Sequence, residues 1–392
     1  MSDKEIKKIG IVAMFNLSAG GGAPRVTIDL VNALNLMGKK VYLMNPFNIN
    51  FEKIKELYGE IKVEKIYSIG KLKAFFCRGR VLPRKIMKKE FQEMVKEVDF
   101  IIDLDGGIVH KYLPKNFDNS KYVIWRISCA KPASKRPWIK MNFKRKIKEK
   151  ILDILGEKRC IPSKNYKIYA ADKWTAKELK ETWGIDSEEN YLYPEIKVDE
   201  LILKKGIKKE DQIVIFGRIA ENKNIEDSMK IFAIGTKKSP EYNLVIIGGD
   251  TADSEGYIKK LEKLGGELNI FGRVKIIKNP SFEEIKKILQ ESKIIIDSQR
   301  EISLTMTSIE AMAAGNVVIG YKNSGGYIDI LENGKYGFGF LTIEEGGREL
   351  ENVLKKLEGG KIDNKKMVKR AQDFSGERFK EALKEILNEN GI

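Results

Sequence analysis

The stretch KIIIDSQREISLTMTSIEAMAAGNVVIG, from Lys293 to Gly320, contains two short β-branched runs. A hydroxyl-rich loop and a run of small, helix-forming residues lie between them. This pattern predicts a strand, a helix that begins near Thr307 and a second strand, which together make a parallel βαβ unit. Glu301 and Glu310 flank the loop, and no Lys or Arg lies between them. A surface helix has no need of that arrangement, whereas a binding site for a phosphorylated polyol does.

The same alternation of β-branched runs and helical patterns continues along the chain and predicts parallel sheets. The strand candidates of the first half are IGIVAM, KVYLM, DFIIDLD, KYVIWRI and YKIYAA. Those of the second half are QIVIFGR, NLVIIGG, VKIIKN, KIIIDS and NVVIGY. Each set is sufficient for a sheet of its own. The expected fold class is therefore α/β, with two doubly wound parallel sheets.

The best candidate for a domain boundary is NYLYPEIKVDELILKKGIKKED, which contains Pro194 and is rich in charge. We place the boundary near Glu195 to Lys208. The expected domains are an N-terminal domain at 1–196, a C-terminal domain at 197–371 and a final helix at 372–392 that crosses back, with Ser375 as its N-cap. A chain of 392 residues is long enough for two or three domains.

The composition describes a globular protein, since hydrophobic residues make up 42% of it and no run of about 18 apolar residues predicts a spanning helix. The charged amino end leads directly into a strand, unlike a signal peptide. Cys77, Cys129 and Cys160 lack the spacing of metal or disulfide sites and suit a reducing cytoplasm. The single histidine, His110, excludes multi-histidine metal sites. Abundant Lys, Glu and Ile with scarce Gln indicate a thermophile, or merely an AT-rich genome.

The net charge of +16 is concentrated in two segments of the N-terminal half. Lys71 to Glu97 contains nine basic and three acidic residues, and Lys131 to Cys160 contains eleven basic and three acidic residues. In the second segment, apolar residues recur every four positions from Phe143 to Leu155, a pattern typical of a basic amphipathic helix on an anionic membrane. The stripe could instead pack on its own domain. Nucleic acid is the weakest alternative, because aromatic residues do not interleave with the basic ones.

The first strand of the chain is followed by a glycine-rich loop that opens a helix. Gly20, Gly21 and Gly22 allow a ligand to approach the backbone closely, and the helix from Ala23 directs its positive dipole end to the same place. The spacing is not the G-x-G-x-x-G dinucleotide fingerprint. We expect Gly21 and Gly22 to contact a ligand, although an ordinary turn would use the same glycines.

A second candidate binding loop, GRIAENKN, follows the QIVIF strand and begins at Gly217. Arg218 and Lys223 lie five residues apart across this loop. Ligands of open α/β sheets bind beyond the carboxyl ends of the strands, so two cations at this place suit a diphosphate. A solvated basic loop is the alternative interpretation.

The loop of the opening stretch supplies the other half of such a site. If the helix begins near Thr307, the backbone amides of Ser303 to Ser308, which include that of Thr305, form an anion site. Glu310 then lies where a carboxylate can accept two ribose hydroxyls, and Glu301 where it can accept those of a second sugar. Without a ligand, Glu310 would be an ordinary first-turn acid that is favoured by the helix dipole.

Together these segments resemble glycosyltransferase family 4, the retaining nucleotide-sugar transferases of GT-B fold within glycosyl transferases group 1. The resemblance rests on GRIAENKN for the Gly-Arg…Lys loop, on IEAMAAGNVVIG for the Glu-Ala-Met-Ala-x-Gly helix, and on SGGYIDILENGKYGF for a glycine-rich segment that contains Gly325 and Gly326. Several motifs in the family's order are far more specific than any one of them. The resemblance implies two Rossmann-like domains that face a central cleft, with Gly325 and Gly326 bringing backbone to the donor.

The resemblance also implies roles for the site residues. Glu310 would bind the ribose hydroxyls and Glu301 the transferred sugar. Arg218 and Lys223 would hold the diphosphate and stabilise its charge as the glycosidic bond breaks. No metal is implied, because the GT-B fold neutralises the diphosphate with side chains and helix ends. In two departures, eight residues separate the glutamates where the family has seven, and Asn224 follows the lysine where glycine is usual.

The region after the fourth strand, where the family often carries histidines, has the sequence DFIIDLDGGIVHKY. Asp103 and His110 are therefore candidates for a position near the reacting sugar. A strand-end aspartate and a loop histidine without any ligand are the alternative. Asp103 and Asp105 form an Asp-x-Asp pattern that binds metal in the other glycosyltransferase fold, but the GT-B resemblance argues against a metal here.

The sequence thus predicts a retaining hexosyltransferase that moves mannose or glucose from a UDP or GDP sugar to a lipid-linked or other glycan acceptor. It predicts a cytoplasmic protein, peripheral on the inner membrane face, that contacts anionic lipid through Lys71 to Glu97 and Lys131 to Cys160. No cofactor beyond the donor and no nucleic-acid partner are expected. The alternatives are a glycosyltransferase with a soluble acceptor, a nucleotide-sugar epimerase of the same fold, and a non-catalytic nucleotide-sugar-binding subunit.

Overall fold

The computed structural model of the chain describes residues 7–18, 21–69, 87–104, 109–127, 147, 166–202, 206–250 and 254–392. The packing of the backbone divides the chain into two compact units. The first comprises Met1–Ala171, Thr175–Pro194 and Lys380–Ile392, and the second comprises Asp172–Trp174 and Glu195–Phe379. Three residues that follow the last strand of the first unit therefore belong to the second unit.

The first unit contains a parallel six-stranded sheet in the order β3-β2-β1-β4-β5-β6. Its strands are β1 Lys8–Val12, β2 Lys40–Met44, β3 Lys65–Tyr67, β4 Phe100–Asp103, β5 Tyr122–Arg126 and β6 Lys167–Ala170. The strands β4 and β5 are buried along their whole length. Strands that are covered on both faces have continuous apolar sequences, as in FIID and YVIWR, because neither face meets water.

The second unit contains a second parallel six-stranded sheet, in the order β12-β11-β10-β7-β8-β9. Its strands are β7 Gln212–Phe216, β8 Asn243–Gly248, β9 Val274–Lys278, β10 Ile294–Asp297, β11 Val317–Tyr321 and β12 Phe338–Phe340. The order is that of the first sheet repeated, with β7 and β10 in the places of β1 and β4. The predicted α/β class with two doubly wound parallel sheets is confirmed.

The helices follow the strands in the manner of βαβ units. In chain order they are α1 Gly22–Leu36, α2 Phe51–Tyr58, α3 Lys88–Glu97, α4 Lys173–Trp183, α5 Ile225–Gly235, α6 Ser254–Glu267, α7 Phe282–Glu291, α8 Met306–Ala313, α9 Ile343–Glu358, α10 Asn364–Ala371 and α11 Gly376–Glu389. Local capping sets several of their starts. Ser281 and Glu284 form a reciprocal capping box at α7, and the side chain of Thr342 accepts a hydrogen bond from the Glu345 amide at α9.

All ten predicted strands are present, and two more, β3 and β12, were not predicted. Both are three residues long and lie at an edge of their sheets. A strand of three residues is too short to show a periodic pattern, so only its pairing with a neighbour identifies it. In the described residues, no helix combines the length and the apolar character needed to cross a bilayer.

Candidate functional site

The carboxyl ends of β7 and β10 form an open recess in the second unit. The two strands are neighbours, but the sheet continues from them toward opposite edges, so the recess lies at a topological switch point. Open α/β sheets bind their ligands at such points. The recess brings together the predicted Gly217, Arg218 and Lys223. Its lining consists of residues 215–218, 223, 225, 228 and 296–299.

The loop after β7 owes its path to residues that accept unusual backbone conformations. Gly217 has a φ of 154°, which residues with a side chain rarely adopt. A Cβ on Gly248 would lie 1.6 Å from the Gly217 carbonyl oxygen, so the ends of β7 and β8 can approach this closely only because residue 248 is a glycine. Asn224 has a φ of 51° and a ψ of 41°, a left-handed conformation that asparagine tolerates better than most residues. Its Nδ2 also donates to the carbonyl of Ser298 at 3.1 Å. Asparagine thus fills a position where the family has glycine.

The two cations of the recess differ in their surroundings. Arg218 is exposed, whereas Lys223 is partly buried and donates from Nζ to Oε1 of Gln299. Burial lowers the pKa of Lys223 to about 8, the charge of Asp297 raises that pKa, and the charge of Arg218 lowers it. At neutral pH Lys223 therefore still carries its charge in most molecules.

Asp297, at the end of β10, links the recess to helix α8. Its Oδ1 accepts hydrogen bonds from the backbone N of Gln299 at 3.1 Å and from Nε2 of Gln299 at 3.0 Å. Its Oδ2 accepts from Oγ of Ser308 at 2.7 Å. A continuous chain of hydrogen bonds thus runs from Lys223 through Gln299 and Asp297 to the first turn of α8.

Helix α8 begins at Met306, one residue before the predicted start, with Thr305 as its N-cap. Oγ1 of Thr305 is buried and has no hydrogen-bond partner among the described residues. Thr307 is half-buried in the first turn, and Glu310 is buried one turn into the helix. Glu301 has a φ of 41°, which is uncommon for a residue with a side chain. The longer loop between the glutamates thus contains a left-handed residue at its start.

The expectation that all the amides from Ser303 to Ser308 are available for an anion is wrong. The amide of Leu304 donates to the carboxylate of Asp172, and the amide of Ser308 donates to the carbonyl of Thr305 at 3.0 Å. Oγ of Ser303 also donates to Oδ2 of Asp172 at 3.1 Å. The Asp172 carboxylate therefore already accepts from one of the backbone amides that were predicted to bind an anion.

Gly325 and Gly326 pack directly against this loop. A Cβ on Gly325 would lie 2.8 Å from Oδ2 of Asp172, and a Cβ on Gly326 would lie 2.6 Å from Oγ1 of Thr305. The amide of Gly325 donates to the carbonyl of Ile302 at 2.8 Å. Side chains at these positions would collide with the loop before α8, so this packing is sufficient to explain why both residues are glycine.

Sequence reasoning missed Asp172 and Asp329, two fully buried carboxylates. Asp172 lies 132 residues from Leu304, and Oδ2 of Asp329 accepts from the backbone N of Lys173 at 2.6 Å across 156 residues. No local pattern marks either residue, because the partners meet only after the sheet has formed.

The predicted glycine loop of the first unit lies at the start of α1. Gly21 is the N-cap of this helix, with a φ of 131°, and Gly22 is its first residue. The hydroxyl of Tyr58 accepts from the Gly21 amide at 3.0 Å and lies 3.3 Å from the Gly21 carbonyl, to which it can donate. Tyr58 was not predicted, and it holds the loop from the end of α2. Gly20 lies outside the described residues.

Asp103 and His110 belong to an aromatic cluster of the first unit. Asp103 is fully buried, and its Oδ2 accepts from the hydroxyl of Tyr122 at 2.5 Å. The Tyr166 ring lies 5.2 Å from the Tyr122 ring and 5.8 Å from the His110 ring. Burial, and to a lesser extent the charge of Lys111, lowers the pKa of His110, so its ring is largely neutral at pH 7. The Asp103 carboxylate thus has a structural partner.

Other predicted features lie partly or wholly outside the described residues. Asp105 is one of them, and so is the segment Lys131 to Cys160 apart from Ile147. Of the segment Lys71 to Glu97, the described part is 87–97, which includes α3. Within the part of the chain that the structure describes, no group of three or more His, Cys, Asp or Glu side chains could hold a metal ion.

Residues 198–374 match the model of the family glycosyl transferases group 1. An uncharacterized glycosyltransferase of Haemophilus influenzae is 26% identical over 97% of this chain and 100% of its own length. The mouse GDP-Man:Man(3)GlcNAc(2)-PP-Dol alpha-1,2-mannosyltransferase is 28% identical over 46% of this chain, and the match spans 39% of that enzyme. A crystal structure of Anabaena HepE in complex with UDP covers 98% of this chain and all of its own, with a TM-score of 0.70 and 14% identity.

The structural likeness establishes the fold, and the family match, together with the sequence relatives, establishes the class of enzyme. The predicted group 1 family and the predicted enzyme class, a hexosyltransferase, are confirmed. The protein is therefore a glycosyltransferase of GT-B fold, and its residues 198–374 form a glycosyl transferases group 1 domain.

Proposed function

We propose that the protein is a retaining transferase of mannose or glucose, with a UDP or GDP sugar as donor and a lipid-linked or other glycan as acceptor. The observation that carries the proposal is the recess at the ends of β7 and β10, where Arg218 and Lys223 lie together beside the chain of hydrogen bonds to α8. Two cations beside a helix amino end form a site for a diphosphate.

In the proposed reaction, the bond between the anomeric carbon and the diphosphate oxygen breaks, and the acceptor oxygen bonds to the same face of the sugar. The acceptor proton passes to an oxygen of the departing diphosphate, so no strong protein base is needed. Arg218 and Lys223 offset the negative charge that grows on the leaving group. Electrostatic stabilisation of this kind is often the largest single contribution to catalysis.

The remaining predicted residues take positions around the donor. Glu310 would accept the ribose hydroxyls, and Glu301 would accept hydroxyls of the transferred sugar. Thr305 and Thr307 would face the phosphates from the start of α8, which suits the buried Oγ1 of Thr305. In the first unit, Gly21 and Gly22 would contact the substrate. The proposed place of Asp103 and His110 is near the reacting sugar.

The choice between UDP and GDP is open to a direct measurement. The mouse relative is by its name a GDP-mannose enzyme, whereas the similar Anabaena structure contains UDP. Calorimetric titration of the protein with UDP, GDP and their sugars tests both donors. We expect tight binding of one nucleotide, with affinity for it reduced about 10- to 100-fold in Glu310→Ala, because a carboxylate hydrogen bond contributes roughly 1.5–3 kcal/mol.

The matched control is Glu283→Ala, which removes an exposed glutamate from the first turn of α7 and should bind as the wild type does. If the wild type binds neither nucleotide, the donor proposal fails and the non-catalytic alternative takes its place. If Glu310→Ala binds as tightly as the wild type, the ribose site has been placed wrongly.

The proposed acceptor and membrane face rest on the basic segments Lys71 to Glu97 and Lys131 to Cys160. Positive charge concentrated in one half of the chain would hold the enzyme at an anionic inner membrane face, where lipid-linked acceptors occur. Transfer of labelled sugar to a membrane extract, compared with transfer to soluble glycans, separates this proposal from the soluble-acceptor alternative. Equal transfer without the extract would favour the soluble acceptor.

A further inference from the structure

We propose that Asp297 is a positioning residue of the donor site, which holds Gln299 against Lys223 and Ser308 at the start of α8 so that cation and helix end act as one anion-binding surface. This inference rests on the proposed donor function. It assigns a role to a residue that neither the sequence motifs nor the family resemblance singled out.

Asp297 is a buried carboxylate of the recess. It ends β10 at the switch point, lines the recess and is 8% exposed. A buried carboxylate is costly unless hydrogen bonds and a nearby cation compensate for the lost water. Here Oδ1 accepts two hydrogen bonds and Oδ2 accepts one. Asp297 also lies close enough to Lys223 for its charge to raise the pKa of the lysine.

Asp297 also sets the orientation of the Gln299 amide. A carboxylate can only accept, so Gln299 must turn its Nε2 toward Asp297. The amide oxygen then faces the other way and accepts from Nζ of Lys223. Asp297 therefore decides which end of Gln299 meets the lysine, and a reversed amide would direct N–H groups at an ammonium.

Asp297 also contacts the first turn of α8. Ser308 is the third residue of this helix, and its hydroxyl donates to Asp297. Ser298, next to Asp297, is in turn tied to α5 by the hydroxyl contact with Ser228 at 2.7 Å. One carboxylate thus connects the start of α8, through Ser308, with Lys223, through Gln299.

The test is the affinity for UDP and GDP as a function of pH, measured by calorimetry between pH 6.5 and 9. Asp297→Asn keeps the size of the side chain and an acceptor for Gln299, but it loses the charge. The charged groups that act on Lys223 are Asp297, from β10, and Arg218, from its own loop. Without the Asp297 charge, the pKa of Lys223 is expected to be lower by about one.

The ratio of the variant Kd to the wild-type Kd should therefore be about sevenfold higher at pH 9 than at pH 6.5. Taking the ratio at each pH cancels the titration of the nucleotide itself. In a Lys223→Arg background, the same Asp297→Asn change should show no pH dependence. A ratio independent of pH in the Lys223 protein would overturn the proposal, since a merely structural role predicts that result.

Asp211→Asn is the matched control, because this exposed aspartate lies just before β7, away from the recess, and pairs with Lys293. If Asp297→Asn does not fold, Ser308→Ala tests the hold on α8 instead. That variant should raise the Kd for the nucleotide by the same factor at every pH, and an unchanged Kd would reject the proposal. Failure of the wild type to bind either nucleotide would instead count against the donor function as a whole.

Discussion

At the scale of single residues, Arg218 and Lys223 would contribute differently to the proposed binding of a diphosphate. Arg218 is exposed, so its guanidinium can meet the phosphate in a planar, bidentate geometry. Lys223 lies deeper, and its burial lowers its pKa to about 8, so its charge depends on pH within the physiological range. If Lys223 binds the donor as proposed, its low pKa will make donor binding weaker at alkaline pH.

The residue-scale prediction concerns the pH dependence of kcat/KM for the donor. Because the lysine binds phosphate only as an ammonium, and its pKa is about 8, kcat/KM should fall as pH rises above 8. Lys223→Arg keeps a charge at high pH and should remove this alkaline fall. Lys223→Ala should lower kcat by ~100-fold, as the loss of one transition-state donor does.

Lys237→Arg is the control for this series, because Lys237 is an exposed lysine of the second unit. Its pH profile should match that of the wild type in steady-state assays across the same range. An alkaline fall that persists unchanged in Lys223→Arg would assign the titration to another group.

At the scale of elements, Lys209 connects the carboxyl ends of helices α7 and α8. Its Nζ donates to the carbonyls of Gln290 at 3.2 Å, Ser292 at 2.5 Å and Ala314 at 2.8 Å. These carbonyls lie at the carboxyl ends of α7 and α8, where backbone acceptors have no partner within the helix and a cation is favoured. One side chain thus supplies hydrogen-bond donors to the ends of both helices.

The element-scale prediction is that Lys209→Met destabilises the fold. The methionine fills similar space but leaves helix-terminal carbonyls without donors, at a cost of about 1–3 kcal/mol for each one that water does not reach. The free energy of unfolding, from denaturant titration, should therefore fall by roughly 2–4 kcal/mol. Lys208→Met, at the exposed neighbouring position, should change it little. Equal stability of the two variants would contradict the capping role.

At the scale of the whole molecule, the uneven distribution of charge distinguishes the two halves. The segments Lys71 to Glu97 and Lys131 to Cys160 account for most of the net charge of +16, and the remainder of the chain is close to neutral. A localised positive surface favours contact with anionic lipid and is screened by salt. We therefore assign the charge pattern to the proposed membrane contact, whereas the proposed donor site lies in the near-neutral half.

The whole-molecule prediction is that the protein sediments with vesicles of phosphatidylcholine and phosphatidylglycerol at low salt, but not with phosphatidylcholine alone. Replacing Lys144, Lys146, Lys148 and Lys150 with glutamine should weaken binding roughly 100- to 1000-fold, at about 1 kcal/mol per lysine. The control replaces four exposed lysines of the second unit and should bind normally: Lys237, Lys259, Lys275 and Lys278. Unchanged binding by the first variant would reject the membrane proposal.

Much of the fold was predictable because its signals are local. Ten strands showed apolar β-branched runs, and the start of α8 was predicted to within one residue from its small residues and hydroxyls. The edge strands β3 and β12 escaped prediction because three residues carry no periodicity. Tyr58, Asp172 and Gln299 escaped because their partners are distant in sequence or their role depends on a neighbouring loop.

The sequence alone was enough to predict the two doubly wound sheets and the family, and to propose Arg218 and Lys223 as the cations of the site, because the patterns of strands, helices and motif residues are local. The tertiary structure decided which backbone amides remain available, since Asp172 takes that of Leu304. It also decided how strongly Lys223 holds its proton, because that depends on burial and on the charge of Asp297. The availability of these amides and the pKa of Lys223 depend on residues that meet only in the folded protein, so neither property can be predicted from one stretch of sequence.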